Sequence, residues 1–196
     1  MKLAVIIGTV RSGRHSEKLA KWVYNQAGKL EHTDVEILDL ADFQMPFFEE
    51  DTSPRFNPNR TLNPEVKRWL DKLEEKDAYI IVTPEYNHSI PGVLKNALDY
   101  TDWQVNRKPF AIVSHGSAGG ARAAAHLKNI ISEIRAVPIP VNMALTMRVS
   151  EVFDEHGTLA EEIDSKEHGP KDILANVLNE LTWYSEALAA ARSKQT

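Results

Sequence analysis

Short apolar runs alternate along the chain with longer stretches whose apolar residues recur every three or four positions. Residues 3–8 are the first apolar run and predict a buried strand. Residues 16–30 place Leu19, Ala20, Val23, Tyr24 and Ala27 at helical spacing. Residues 35–40 alternate, with Val35, Ile37 and Asp39 on one face, and predict a second strand. Residues 62–75 set Val66, Trp69, Leu70 and Leu73 on one stripe of a helix. Residues 78–83 form a third strand, residues 92–100 a helix entered through Pro91, and residues 110–114 a fourth strand. An alanine-rich helix over 119–134, a fifth strand within 139–147 and a long helix over 171–192 complete the chain. This β-α-β-α order predicts an α/β fold: parallel strands with helices on both faces, in three layers. Residues 1–196 read as one domain, without repeat, linker or low-complexity tract. Residues 41–63 are long for a connection and contain Pro46, Pro54 and Pro58, which predicts an irregular, functional segment.

Ligands in open α/β sheets sit beyond the carboxyl ends of the strands. Three loops there carry chemistry. Gly8 to Ser16 holds two glycines, three hydroxyls and two arginines before a helix. Free amides at a helix N-terminus, with hydroxyl and guanidinium donors, suit a phosphate. The spacing matches neither a P-loop nor the dinucleotide fingerprint, so a phosphomonoester fits better than a pyrophosphate. The plain alternative is a polar turn with Ser16 as N-cap. After the third strand, Pro84 and Pro91 stiffen a loop in which Tyr86 offers a flat ring. Asn87 offers a donor and an acceptor in one plane, as the edge of a heterocycle requires. Glu85 and His88 there also read as ordinary loop polar residues. After the fourth strand, Gly116, Gly119 and Gly120 allow close backbone approach, and Ser117 can bond a ring or ribose edge. A His115–serine nucleophile pair is discounted, because the nucleophile-elbow context is absent. Arg122 reads as a surface or interface ion-pair residue. Together the loops suit a mononucleotide such as FMN. ATP fits less well, because no aspartate pair for magnesium accompanies the phosphate loop.

Composition narrows the chemistry. The absence of cysteine excludes disulfides, Cys-based zinc sites, iron–sulfur clusters and thiol redox chemistry. A formal net charge of −5 argues against nucleic acid as a partner. No apolar run approaches the roughly 18 residues of a membrane span, and the N-terminus does not read as a signal peptide. The expectation is a soluble, cytoplasmic protein. Residues 31–51 hold eight acids and no Lys or Arg, which reads as a solvated face away from the two arginines.

The loops also resemble those of the NADPH-dependent FMN reductase family, over residues 1–147. The stretch from Ile7 to Arg14 is similar to its phosphate loop. The run from Thr83 to Asn87, followed by Ser89 to Asp99, is the most specific match, and Gly116 to Ala123 is similar to its third loop. The resemblance implies a flavodoxin-like α/β/α sandwich with a five-stranded parallel sheet in order 2-1-3-4-5. It implies Thr9, Arg11, Arg14, His15 and Ser16 at the FMN phosphate. Pro84, Glu85, Tyr86 and Asn87 would surround the isoalloxazine, with His115, Gly116, Ser117 and Gly119 on its other side. Arg14 to Ser16 depart from the Ser-x-Asn of some members. The implied activity is electron transfer from NADPH or NADH through FMN to a small-molecule acceptor: a quinone, azo compound, metal oxyanion or free FMN. No metal and no catalytic side chain is implied. An electron carrier without turnover and a redox-sensing flavoprotein are the alternatives. A homodimer or homotetramer is expected, with Val93, Leu94, Ala97, Leu98, Tyr100 and Trp103 as its apolar patch. Residues 148–196 carry no readable motif.

Overall fold

The computed structural model describes residues 1–194. The strands are β1 (Lys2–Ile7), β2 (Asp34–Asp39), β3 (Ala78–Pro84), β4 (Pro109–His115), β5 (Val137–Pro138) and β6 (Met143–Leu145). The helices are α1 (Ser16–Ala27), α2 (Pro64–Glu74), α3 (Gly92–Asp99), α4 (Ala121–Glu133), α5 (Val149–Val152), α6 (Glu161–Asp164) and α7 (Pro170–Arg192). All strand pairs are parallel, in the order β2-β1-β3-β4-β5, with β6 also on β4. The sheet order implied by the resemblance is the order found. The expected domain end at Thr196 lies outside the described residues. No helix among the described residues is long and apolar enough to cross a membrane.

Alternation along the central strands builds two cores. Leu3, Val5, Ile7, Ile80, Val82 and Val113 pack with Leu19 and Val23 of α1 and with Leu174, Val177 and Leu181 of α7. Their neighbours Ala4, Ile6, Tyr79, Ile81, Phe110 and Ile112 face the other way, toward α2, α3 and α4. Each large aliphatic side chain buried there contributes about 1.5–3 kcal/mol. A central strand covered on both faces cannot show a polar side, so β1, β3 and β4 are continuous apolar runs.

Three boundaries differ from expectation. The fifth strand is in two pieces. Phe110 faces Pro138 while Val113 faces Met143, so two extra residues bulge between them. Val137 and Ile139 donate to Lys108 and Phe110. The intervening Pro138, and Pro140 beyond, have no N–H to offer the outer edge, which blunts it against further pairing. Helix α4 starts at Ala121, not Gly119, because Gly119 and Gly120 sit at φ 67° and 73°. Helix α2 starts at Pro64, after Asn63 accepts from the Glu65 amide.

Segment 41–63 is mostly irregular, as expected, but it is pinned to α3. Asn96 accepts from the Phe48 amide at 2.8 Å and donates to the Pro46 carbonyl at 2.8 Å. Arg60 donates to the Tyr100 carbonyl at 2.7 Å and pairs with Glu50 at 2.9 Å. The acidic run is therefore not simply a solvated face. Glu36 pairs with Lys72 and Lys76, and Asp39 pairs with Arg14. The expected apolar patch is also mostly core. Leu94, Ala97, Leu98 and Tyr100 are buried within the chain, while Trp103 stays 47% exposed.

The segment after β6 closes over α1. Phe153 packs on Trp22 with ring centroids 5.3 Å apart, and Gly157 lies against the helix at φ 76°. A Cβ on Gly157 would fall 2.7 Å from both Lys21 Cβ and the Trp22 backbone N. Gly157→Ala is expected to lose about 1–3 kcal/mol in urea unfolding, from strain and the displaced backbone. Gly92→Ala, which meets nothing within 4 Å, should change stability by less than about 1 kcal/mol. Equal stabilities for the two variants would refute this docking.

Candidate functional site

The loops after β1, β3 and β4 converge at the carboxyl edge of the sheet. Each begins where a buried strand ends, so core residues position the exposed ones. In the first loop Thr9 is buried, and its Oγ1 shares a 2.9 Å hydrogen bond with the Tyr86 hydroxyl. The Arg11 amide donates to the same Oγ1 at 3.4 Å. Arg14 donates to the Thr9 carbonyl at 2.9 Å and pairs with Asp39 at the end of β2. Its guanidinium is thus engaged in bracing the loop. Arg11 is exposed, makes no ion pair among the described residues and lies 5.4 Å from the Tyr86 ring centroid. His15 occupies the N-cap of α1 but gives no side-chain cap. The first amides of α1 are therefore open to an anion.

The second loop is a tight reversal. Tyr86 and Ser89 exchange backbone hydrogen bonds at 2.9 and 3.0 Å, with Asn87 at φ 50° and His88 at φ 67° between them. Two successive positive φ values define a type I′ turn, where Asn is favoured. The turn leaves Asn87 exposed and Tyr86 half-buried. Pro84 is buried at the end of β3, facing His115 across the sheet.

Glu85 points the other way. Its carboxylate accepts from the Arg122 and Ala123 amides at 3.0 and 3.3 Å and pairs with the Arg122 guanidinium at 3.0 Å. It is the cap of α4, supplied from another loop. Partial burial works to raise its pKa, but the guanidinium and the two amides outweigh that and hold the carboxyl below its ordinary range.

The third loop needs its glycines. A Cβ on Gly120 would fall 2.8 Å from Ser114 Cβ and 3.0 Å from the His115 backbone N and O, and its φ of 73° is left-handed. Gly116 and Gly119 also have positive φ, and Ser117 is exposed at the tip. His115 reaches back to α1, where Nε2 lies 2.7 Å from Oγ of the buried Ser16. Burial, then His15 and Arg11 nearby, lowers its pKa to about 4. At neutral pH it is an uncharged imidazole.

The structure thus gathers every expected residue onto one edge but assigns several of them differently. Ser16 is the first helical residue, not the N-cap. Arg14 and Glu85 direct their charges into the protein. Sequence reasoning missed Asp39 as the partner of Arg14, and Thr146, Met147 and Arg148, which line a cleft with His15, His115 and Ser117. The position of Asp39 at a strand's carboxyl end was the one available signal for it.

The residues present fit a phosphorylated flavin. A capless helix with an unpaired arginine suits the phosphate, and a glycine cradle beside a turn of exposed polar groups suits a planar ring. The electrostatic frame is testable through Glu85. Glu85→Gln is expected to lower the thermal midpoint at pH 7 and to speed amide exchange in residues 116–123. Because the folded carboxyl titrates below its ordinary 4.5, its stabilisation is full above that value and fades as pH falls through the folded pKa. The stability gap between wild type and variant should therefore hold from about pH 8 to pH 5 and narrow in acid. Equal midpoints at pH 7 would rule out this role.

Comparison with known proteins gives the same picture. The NADPH-dependent FMN reductase family matches residues 1–149, which span all six strands. An NAD(P)H-dependent FMN reductase of Nectria sp is 32% identical over 191 residues, covering 92% of this chain and 94% of the relative. Another from Schizosaccharomyces pombe is 34% identical over 146 residues, covering 74% and 73%. A solved structure of FerB, a flavoenzyme NAD(P)H:(acceptor) oxidoreductase from Paracoccus denitrificans, superposes with a TM-score of 0.74 at 25% identity. It covers 94% of this chain and 97% of its own. The chain therefore belongs to the NADPH-dependent FMN reductase family and is an NAD(P)H-dependent oxidoreductase that works with FMN.

Proposed function

We propose that the three loops hold FMN with its phosphate at the N-terminus of α1 and its ring between the Tyr86 turn and the glycine loop. The observation that carries this reading is the capless start of α1 beside the unpaired Arg11. FMN, when bound, accepts a hydride from NADPH or NADH and passes the electrons to a small-molecule acceptor. Thr9, His15 and Ser16 complete the phosphate donors with Arg11, while Arg14 fixes the loop that carries them. Backbone groups of Pro84 to Asn87 and of Gly116, Ser117 and Gly119 orient the ring, and donors there favour negative charge on its reduced form. No side chain acts as an acid or base. Acceptors of the quinone and azo classes are supported by relatives named 2-hydroxy-1,4-benzoquinone reductase and FMN-dependent NADPH-azoreductase. The same reading puts the protein in the cytoplasm, where NAD(P)H is supplied.

Purified protein with FMN should oxidise NADPH or NADH in the presence of a benzoquinone. Failure with every quinone, azo dye and free FMN would overturn the reading. Arg11→Ala should weaken FMN binding by roughly ten- to a hundredfold, since a charge-assisted hydrogen bond contributes about 1.5–3 kcal/mol. An affinity within about threefold of wild type would remove Arg11 from the phosphate site.

We further propose a homodimer. Phe47 and Phe56, in the segment pinned to α3, are 84% and 76% exposed and Trp103 is 47% exposed, which is apolar surface that a second copy would cover. Light scattering at micromolar concentration should give about twice the chain mass. A monomer would refute it, and a tetramer would show that a second surface is used.

A further inference from the structure

Parallel pairing fixes what stands beside the glycine loop. His115 pairs with Leu145, so β4 and β6 leave the sheet side by side and Thr146 follows next to Gly116. A Cβ on Gly119 would fall 3.2 Å from Thr146 Cγ2, so this wall stands directly against the loop. Alternation continues past the strand. Thr146, Arg148 and Ser150 are exposed, while Met147 is half-buried and Val149 is buried. Between this wall and the loops lies a cleft of about 480 Å³, which Gly116 and Ser117 also line. That volume is in the range of small-molecule sites.

The charge of the cleft is one-sided. No carboxylate lines it, although the chain has a formal net charge of −5. Arg148 is its one guanidinium, and its other basic groups are the imidazoles of His15 and His115. The partner of Arg148 holds it weakly. Its Nη1 donates to Glu151 at 3.2 Å, but the two side chains are 81% and 62% exposed, and exposed pairs of this kind contribute little. That bond uses one of five N–H donors, so the planar fork is free to take the oxygens of another acid group. Met147 lies beside it in the lining and supplies a polarizable thioether, which suits an aromatic ring.

Resting on the flavin reading above, we propose that this cleft receives the electron acceptor and that Arg148 selects aromatic acceptors bearing an acid group, a sulfonate or a carboxylate. In that reading Arg11 and the α1 amides receive the flavin phosphate, which leaves Arg148 to the acceptor. The overall reaction is NAD(P)H plus quinone plus a proton giving NAD(P)⁺ plus hydroquinone. Two electrons and one proton come from NAD(P)H as hydride, the second proton comes from solvent, and the acid group is unchanged.

Steady-state kinetics of the full-length protein with FMN, using 1,4-naphthoquinone and its 2-sulfonate as acceptors, test this. Comparing each variant with wild type on the same acceptor cancels the different intrinsic reactivities of the two. Arg148→Gln should lower kcat/KM for the sulfonate about fivefold more than for naphthoquinone, through KM, as expected for one partly exposed charge pair. Arg148→Lys should recover part of that loss. Glu151→Gln, which removes the competing acid, should raise the preference for the sulfonate about twofold, a gain that misfolding cannot produce. Equal losses on both acceptors in Arg148→Gln, or a lowered preference in Glu151→Gln, overturn the inference. A loss of FMN affinity in Arg148→Gln that matches its loss in kcat/KM also overturns it, by placing Arg148 on the flavin. Wild type that binds FMN but reduces neither quinone overturns this inference alone. Absence of FMN binding to wild type overturns the flavin reading and this inference with it.

Discussion

Two long helices, α1 and α4, open at the carboxyl edge of the sheet beside the site, and each presents free amides and partial positive charge there. The α4 terminus is closed by the carboxylate of Glu85, reaching across from the loop after β3. At the α1 terminus no side-chain cap is made among the described residues, and the acid of its first turn, Glu17, pairs with Lys21 instead. This difference gives the site its polarity. Where the protein supplies its own charge, the backbone is drawn together and the loops become a rigid cradle. Where it supplies none, an external anion can bind. The left-handed glycines at 119 and 120 follow from the same contact, because the chain must double back beneath Ser114 and His115 to present α4 to Glu85.

The two arginines of the first loop divide the work in a similar way. Arg14, tied to Asp39 and to the Thr9 carbonyl, shapes the loop. Arg11, held only loosely over the Tyr86 ring, keeps its charge available. Thr9 joins the system to the second loop through the Tyr86 hydroxyl. Ser16 joins it to the third through His115. The three loops are thus one hydrogen-bonded frame, and a ligand touching one of them acts on all three.

A cysteine-free chain in this family draws its redox chemistry from a bound flavin. The protein's contribution is placement and field, which is why the informative groups are donors, cations and glycines. The region after β6, silent as sequence, has two tasks. Helix α7 covers one face of the sheet, and the residues from Thr146 to Arg148 wall the cleft beside His115.

The strands were legible because strands buried on both faces must be continuously apolar, and β1, β3 and β4 are, while their order came only with the family resemblance. The three loops were legible because glycine, serine and arginine concentrate where β1 and β4 end, and Pro84 to Asn87 where β3 ends. Helix starts were read less well. Residues 119 and 120 continue the small-residue pattern of α4, and only the crowding against Ser114 shows that they lie outside it. Of the edge strand, the piece Met143–Leu145 lies within the expected 139–147, while Val137–Pro138 was missed because a proline reads against a strand that pairs on both sides. Sequence by itself thus determined the layers, the loops and the family. Tertiary structure alone decided which charges remain available to a ligand. Arg14 meets Asp39 across 25 residues, Glu85 meets Arg122 across 37, and Ser16 meets His115 across 99. Pairing over such distances is set by the strand order that brings the loops together, not by any local pattern.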